Sequence, residues 1–129
     1  AEYWFLAGQY YRRSHKNQEA TAAFRQAAQK NPEEPDFSEW LGMSLYSSGQ
    51  IEEALSWLDR ATKLDPNPVS YWENLGDCHL RMKRYDKAAI SFLNAIDGDK
   101  DNVTYKEKLA LSYYNDRKYD LAQPLLEGR

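Results

Sequence analysis

Residues 51–66 read IEEALSWLDRATKLDP, and the same pattern returns 34 residues to either side, as NQEATAAFRQAAQKNP at 17–32 and YDKAAISFLNAIDGDK at 85–100. Aligning these stretches puts alanine in one column four times, at Ala20, Ala54, Ala88 and Ala122. Four residues on stand Phe24, Leu58, Phe92 and Leu126, and three further on Ala27, Ala61 and Ala95. Working outward, Gly8, Gly42 and Gly76 keep the same interval, as do Pro32 and Pro66. An aromatic column runs through Tyr3, Phe37, Tyr71 and Tyr105, followed by Trp4 and Trp72 at a doubled interval. A fixed period of this length marks an array of supersecondary units. The reading is a single domain over 1–129, with repeats 1–34, 35–68 and 69–102 and a partial repeat 103–129.

Within each block apolar residues recur at helical spacing, as in Trp4, Ala7, Gly8 and Tyr11, then Ala20, Phe24 and Ala27. Each repeat therefore reads as two helices. The break inside a repeat falls near Ser14-His15-Lys16-Asn17, Ser47-Ser48-Gly49-Gln50, Met82-Lys83-Arg84 and Asn115-Asp116-Arg117. Only Gly49 suits a left-handed helix end, so the other three blocks are expected to carry a modest backbone cost there. Proline at 32, 66 and 68 separates one repeat from the next. Gly8 and Ala20 present almost no side chain where two helices come closest, and the residue four beyond the alanine fills the adjoining space.

The pattern Trp4, Ala7-Gly8, Tyr11, Ala20, Phe24, Ala27, Pro32 resembles the tetratricopeptide repeat, and the likeness covers the whole chain. Repeat 2 matches at Leu41-Gly42, Leu45, Ala54, Leu58, Ala61 and Pro66, and repeat 3 at Trp72, Leu75-Gly76, Ala88, Phe92 and Ala95. Departures are Ser38 and Lys106 for the aromatic, His79 for Tyr, Lys100 for Pro, Ala110 for Gly, and Arg129 where a small residue is usual. Pro124 falls in the last helix and removes a backbone hydrogen bond there unless that helix starts late. The resemblance implies an all-α fold, a right-handed superhelical solenoid of antiparallel helix pairs with about 3.5 to 4 repeats, whose first helices line a concave groove that takes peptide segments of other proteins.

Composition narrows the chemistry. The chain carries 17 Lys+Arg against 20 Asp+Glu, for a net charge of −3, and is 42% hydrophobic. Its 10 Tyr, 4 Trp and 4 Phe are enough aromatic surface to build a core, which disfavours disorder. No run approaches the ~18 apolar residues of a membrane span, and the start Ala-Glu-Tyr-Trp lacks the basic residues of a signal peptide. A soluble, cytoplasmic protein is expected, and the single Cys78 is compatible with a reducing compartment. Charge by repeat is +1, −4, −1 and +1, so acidic repeat 2 argues against a nucleic-acid partner. No phosphate loop, nucleophile elbow or zinc-ligand spacing occurs, and neighbours Cys78 and His79 diverge by about 100° on a helix, so they form no dyad. The run Asp97-Gly98-Asp99-Lys100-Asp101-Asn102 has calcium-loop alternation, but Asn102 stands in place of the sixth-position Gly and Lys108 in place of the twelfth-position Glu. It reads as a turn in which Asp101 or Asn102 caps the next helix. No enzyme activity, cofactor or metal is expected.

If the family geometry holds, the free stripe of each first helix contains Phe5, Gln9 and Arg12 in repeat 1, Glu39, Trp40, Met43 and Tyr46 in repeat 2, Asn74, Asp77 and Arg81 in repeat 3, and Lys108 and Leu111 in repeat 4. These are the expected peptide-binding residues. Phe5, Trp40, Met43, Tyr46 and Leu111 form an apolar set without evident core duty, although packing on adjacent helices is the alternative. Arg12, Arg81 and Lys108 are expected to favour acidic ligand groups, and Glu39 and Asp77 basic ones. One well-known branch of the family clamps a carboxyl-terminal carboxylate with Lys, Asn, Asn, Lys and Arg. At those positions this chain has Phe5, Gln9, Trp40, Ser70 and Asn74, so a receptor of that type is not expected. The function expected is a non-enzymatic adaptor for a protein or peptide partner. Alternatives are a structural segment of a larger assembly and a regulatory repeat domain of a longer multidomain protein. End-to-end self-association or membership of a longer chain, with a fraying last helix, is expected because a repeat is left incomplete.

Overall fold

The computed structural model describes residues 2–127; Ala1, Gly128 and Arg129, the last with its expected departure from the repeat pattern, lie outside them. Eight helices follow in order: α1 (Glu2–Arg13), α2 (Asn17–Lys30), α3 (Pro35–Ser47), α4 (Ile51–Leu64), α5 (Val69–Arg81), α6 (Tyr85–Gly98), α7 (Val103–Asn115) and α8 (Tyr119–Glu127). No strand occurs among the described residues. The helices form two compact units, one ending at Pro66 and the other starting at Asn67.

The turns inside the repeats share one chemistry. His15, Lys83 and Arg117 have φ near +60°, at 61°, 60° and 62°, and Gly49 has φ 83°. At each turn the N–H after the left-handed residue reaches back to a carbonyl five residues earlier: Lys16 to Tyr11 at 2.9 Å, Gln50 to Leu45 at 2.9 Å, Arg84 to His79 and Lys118 to Tyr113 at 2.8 Å. This is the Schellman closure, which satisfies carbonyls that the ending helix leaves without partners. Three non-glycine residues accept the left-handed backbone because each closure is bonded and the next helix starts at once. Between repeats the starts differ. Pro35 opens α3 with Glu34 accepting weakly from the Asp36 N–H at 3.4 Å, and Asn102 Oδ1 caps α7 by accepting from the Tyr105 N–H at 3.1 Å. The acidic 97–102 turn thus uses its amide as a helix cap, with Asn102 Nδ2 also donating to Asp99 at 3.1 Å.

In the first unit, α1 packs on α2, α2 on α3, and α3 on α4. The close approach is steric: a Cβ placed on Gly8 falls 2.5 Å from the Phe24 ring, and one on Gly42 falls 2.5 Å from Leu58 Cγ. Phe24, Leu41, Leu45 and Leu58 are buried around these contacts. Arg25 of α2 forms an ion pair with Glu53 of α4, its second nitrogen reaching Oε1 at 3.3 Å, and Arg60 donates to the Pro32 carbonyl at 2.8 and 3.0 Å. The hydrogen bond from Arg25 holds the Glu53 carboxyl below its ordinary pKa. Ser38, in the column of Trp4 and Trp72, is buried with a hydroxyl that has no hydrogen-bond partner.

In the second unit, α5 packs on α6, α6 on α7, and α7 on α8. Gly76 repeats the arrangement, its would-be Cβ lying 2.6 Å from the Phe92 ring. Ala88, Ala89, Phe92 and Leu109 form one core cluster, with Leu80, Ile96, Tyr113 and Leu125 packed against it. α8 does not start late: Pro124 is its sixth residue, so the Asp120 carbonyl loses its intrahelical partner. Cys78 is buried, and its thiol is pushed up to about 12, first by burial and then by the field of Asp77. Burial thus keeps Cys78 a neutral thiol at neutral pH.

Two glycine substitutions separate two kinds of constraint. Gly42→Ala is expected to lower stability by about 1–3 kcal/mol through overpacking, although alanine is the better helix former. Gly49→Ala is expected to cost about 1 kcal/mol through backbone strain alone, since no atom lies within 4 Å of its would-be Cβ. Thermal denaturation of both checks this, and a raised midpoint for Gly42→Ala would show that α3 and α4 are not held at this separation.

Candidate functional site

In the first unit the i, i+3, i+4 spacing sets Glu2, Phe5, Gln9 and Arg12 along one face of α1, and Asp36, Trp40, Met43 and Ser47 along one face of α3. The aromatic rings from these faces meet. Phe5 lies 5.0 Å from Phe37 and 6.2 Å from Trp40 between ring centroids, and Trp40 stacks on Phe24 at 5.8 Å. The Arg12 guanidinium carbon sits 4.8 Å from the centroid of the Trp40 ring, a cation–π contact, and Arg12 is exposed. Among the described residues no carboxylate pairs with Arg12.

Two open pockets flank this cluster. One, of about 330 Å³, is lined by Arg12, His15, Asn17, Trp40, Met43 and Ser47, with the Phe24 ring and Ser44 behind them. The other, of about 370 Å³, is lined by Glu2, Phe5, Leu6, Glu34, Asp36 and Phe37. The first carries cationic and neutral donors, the second three carboxylates, and Phe5 and Trp40 form the apolar wall joining them.

The second unit is built differently. Lys108 of α7 reaches Glu73 at 2.7 Å and both oxygens of Asp77 at 3.1 and 3.2 Å, all three side chains about one-quarter exposed. Burial pulls the Lys108 pKa down, but its bond to Glu73 and the charge of Asp77 outweigh that, and the net shift is upward. Burial pushes the Asp77 carboxyl up, and Lys108 opposes it without cancelling it. Leu111 and Tyr114 on α7 are exposed beside this network.

The structure redraws several sequence expectations. Phe5, Trp40, Met43 and Arg12 do come together, with Gln9 half-buried on the same stripe and Tyr46 half-buried one turn further along α3. Phe5 and Trp40 nevertheless do have packing duty, against Phe24 and Phe37. Glu39 is not on a free stripe: it is only 7% exposed, since a helical stripe read from the repeat period does not show which of its positions the packing covers. Lys108 is not an open cation, since Glu73 and Asp77 neutralise it, and Asp77 is correspondingly tied up. Asn74 is half-buried and Arg81 exposed on α5. His15, Asn17, Ser44 and Glu34 were missed. His15 sits in a turn, Asn17 and Glu34 at helix starts and Ser44 inside α3, and only His15, within a stretch read as a turn, offered a sequence signal.

A profile of the tetratricopeptide repeat matches residues 5–68 and 58–103, most of the chain. The chain belongs to the tetratricopeptide-repeat family. Among curated proteins it is similar to the Hsp70-Hsp90 organising protein of Plasmodium falciparum (isolate 3D7), with 34% identity over 91 residues, covering 63% of this chain and 16% of that protein. It is also similar to the Superkiller complex protein 3 of Mus musculus, with 33% identity over 73 residues, covering 55% of this chain and 5% of that protein. The chain therefore spans less than one-fifth of the length of either. Among solved structures, a crystal structure of MamA protein superposes with a TM-score of 0.93 at 17% identity, over 98% of this chain and 69% of that one. YrrB, described as a TPR protein with an unusual peptide-binding site, superposes with a TM-score of 0.89 at 23% identity, over 96% of this chain and 64% of that one. These likenesses show the all-α repeat fold. The tetratricopeptide repeat is a protein-interaction module, not a catalytic one. No described helix is long and apolar enough to cross a membrane.

The Lys108 network gives a pH-dependent prediction. A lysine with a raised folded pKa contributes stability that is present below its unfolded value, about 10.4, and is lost as pH rises through the folded value. Lys108→Met is expected to cost about 1 kcal/mol at neutral pH by leaving two half-buried carboxylates unpaired. Asp77, already raised, rises further in the variant, so folding binds its proton more tightly and acidification stabilises the variant more than the wild type. The gap in melting midpoint between the two should therefore narrow as pH falls from neutral into the carboxylate range. A gap independent of pH would show that Lys108 acts by packing alone.

Proposed function

We propose that this tetratricopeptide-repeat chain is a non-enzymatic adaptor, and that the α1–α3 face of its first unit binds an extended peptide segment of a partner protein. The observation that carries the reading is the half-exposed cluster of Phe5, Trp40 and Met43 with Arg12 laid over the indole. These side chains are already ordered by their packing, so little rotamer entropy is lost when a ligand covers them. Aromatic and arginine side chains in this state are the residue types that dominate binding energy at interfaces. Glu2, Glu34 and Asp36 at the other end of the face repel a phosphate chain, which supports a protein partner over nucleic acid.

A second reading, that the repeats form a structural segment of a larger assembly, is favoured by the outer face of α1. Tyr3 is 71% exposed, whereas the same column in α3 and α7 is buried, Phe37 and Tyr105 each being 7% exposed. Leu6 and Tyr10 continue this apolar stripe. Sedimentation across a range of concentrations tests that reading, which predicts association that Tyr3→Glu/Leu6→Glu abolishes.

The adaptor reading is tested by selecting a displayed library of random ten-residue peptides on the protein and measuring the enriched peptides by calorimetry. Trp40→Ala is expected to weaken them by about 2 kcal/mol or more. It should also lower stability by about 1–3 kcal/mol, because the indole stacks on Phe24. Met43→Ala, with less packing to lose, should weaken binding by about 1 kcal/mol while the melting midpoint barely moves. Unchanged affinity in both variants would place the ligand on another face.

A further inference from the structure

We infer, resting on the peptide-binding reading above, that the first unit selects a ligand segment by charge order: an acidic side chain at Arg12, an apolar one against Phe5 and Trp40, and a basic one at the Glu2 end. The Arg12 pocket supplies the first part. Its guanidinium is fixed in place by the Trp40 ring and has no carboxylate partner among the described residues. The remaining polar lining, His15, Asn17 and Ser47, brings imidazole, amide and hydroxyl groups and no carboxylate, while the Ser44 hydroxyl is engaged with Thr21. A ligand carboxylate set there forms a forked pair with a cation whose position the indole has already chosen.

The opposite pocket has the opposite sign. Glu2, Glu34 and Asp36 line it together with Phe5, Leu6 and the largely buried Phe37. A carboxyl-terminated ligand end is disfavoured at that site, and an ammonium or guanidinium is favoured. The other strong charges of the unit do not blur this pattern. Arg25 and Glu53 neutralise each other, and Glu39 is buried.

Spacing completes the argument. Ten residues of α1 separate Glu2 from Arg12, a rise of about 15 Å at 1.5 Å per residue. An extended peptide covers that distance in about four to five residues at ~3.3 Å each. The occupant is thus a short segment with an acid and a base about four or five residues apart and an aliphatic or aromatic residue between them, and a segment of one charge sign throughout meets repulsion at one end.

The test uses the same displayed peptide library, selected in parallel on the wild type, on Arg12→Glu and on Glu2→Lys/Glu34→Lys. All these positions are exposed, and circular dichroism checks that the variants fold. The wild type is expected to enrich peptides with an acid and a base flanking an apolar residue. Arg12→Glu should replace the acid by a base while keeping the apolar residue, and Glu2→Lys/Glu34→Lys should make the reciprocal exchange. For a wild-type peptide, changing its acid to the amide should weaken binding about tenfold on the wild type and less than about twofold on Arg12→Gln. If apolar peptides are enriched without charge order, or with a charge order that neither variant moves, this inference is overturned and the peptide-binding reading stands. If no peptide is enriched on the wild type, both are overturned.

Discussion

The structure depends on one steric constraint: two antiparallel helices brought so close that a glycine on one faces a large side chain on the other. Gly8 against Phe24, Gly42 against Leu58 and Gly76 against Phe92 are the same contact made three times, each leaving no room for a methyl group. Once that distance is fixed, the alanines beside the large residue follow, since Ala20, Ala54 and Ala88 occupy the remaining space with almost no exposure. The fourth repeat shows the converse. There Ala110 takes the glycine column, and Leu126, in the column of the inserted residue, is nearly half exposed. The interlock is relaxed where its largest member is not driven home.

Holding the hairpins this tightly fixes the orientation of everything on the first helices. Phe24 is both the side chain that fills the space at Gly8 and the base on which Trp40 stacks. The Trp40 indole is therefore positioned by the residue that sets the helix separation, and Arg12 lies over that indole. The site inherits its rigidity from the core. Phe5 and Trp40 are accordingly half-buried and well packed while still lining open pockets.

The two units spend their first-helix faces differently. The first keeps its opposite charges apart, with carboxylates at the start of α1 and α3 and a cation near the end of α1. The second brings them together, closing Lys108 on Glu73 and Asp77. The paired charges of the second unit stabilise the contact between α5 and α7 and leave one residual negative charge. The same residue types thus line two pockets of opposite charge in one unit and form an internal brace in the other.

The period of 34, the helix pairs and the left-handed turns were legible in the sequence, because each is a local demand repeated in register. A glycine, an alanine or a chain reversal needs the same residue type wherever the same backbone recurs, and His15, Lys83 and Arg117 could be placed by column despite lacking the preferred glycine. The stripe carrying Phe5, Gln9, Arg12, Trp40 and Met43 was legible for the same reason, as an angular position on a helix. What the sequence could not settle is which stripe residues a neighbouring helix covers and which charges find each other. Glu39 and Trp40 are adjacent in sequence and both polar or amphipathic, yet one is buried and the other forms a pocket wall, a difference that tertiary packing makes. Lys108 lies 35 residues from Glu73 and 31 from Asp77, and only the packing of α7 beside α5 turns three charges into one network. Short-range periodicity determined the scaffold; contacts between distant residues, which depend on angles and distances that periodicity does not encode, decided the chemistry it displays.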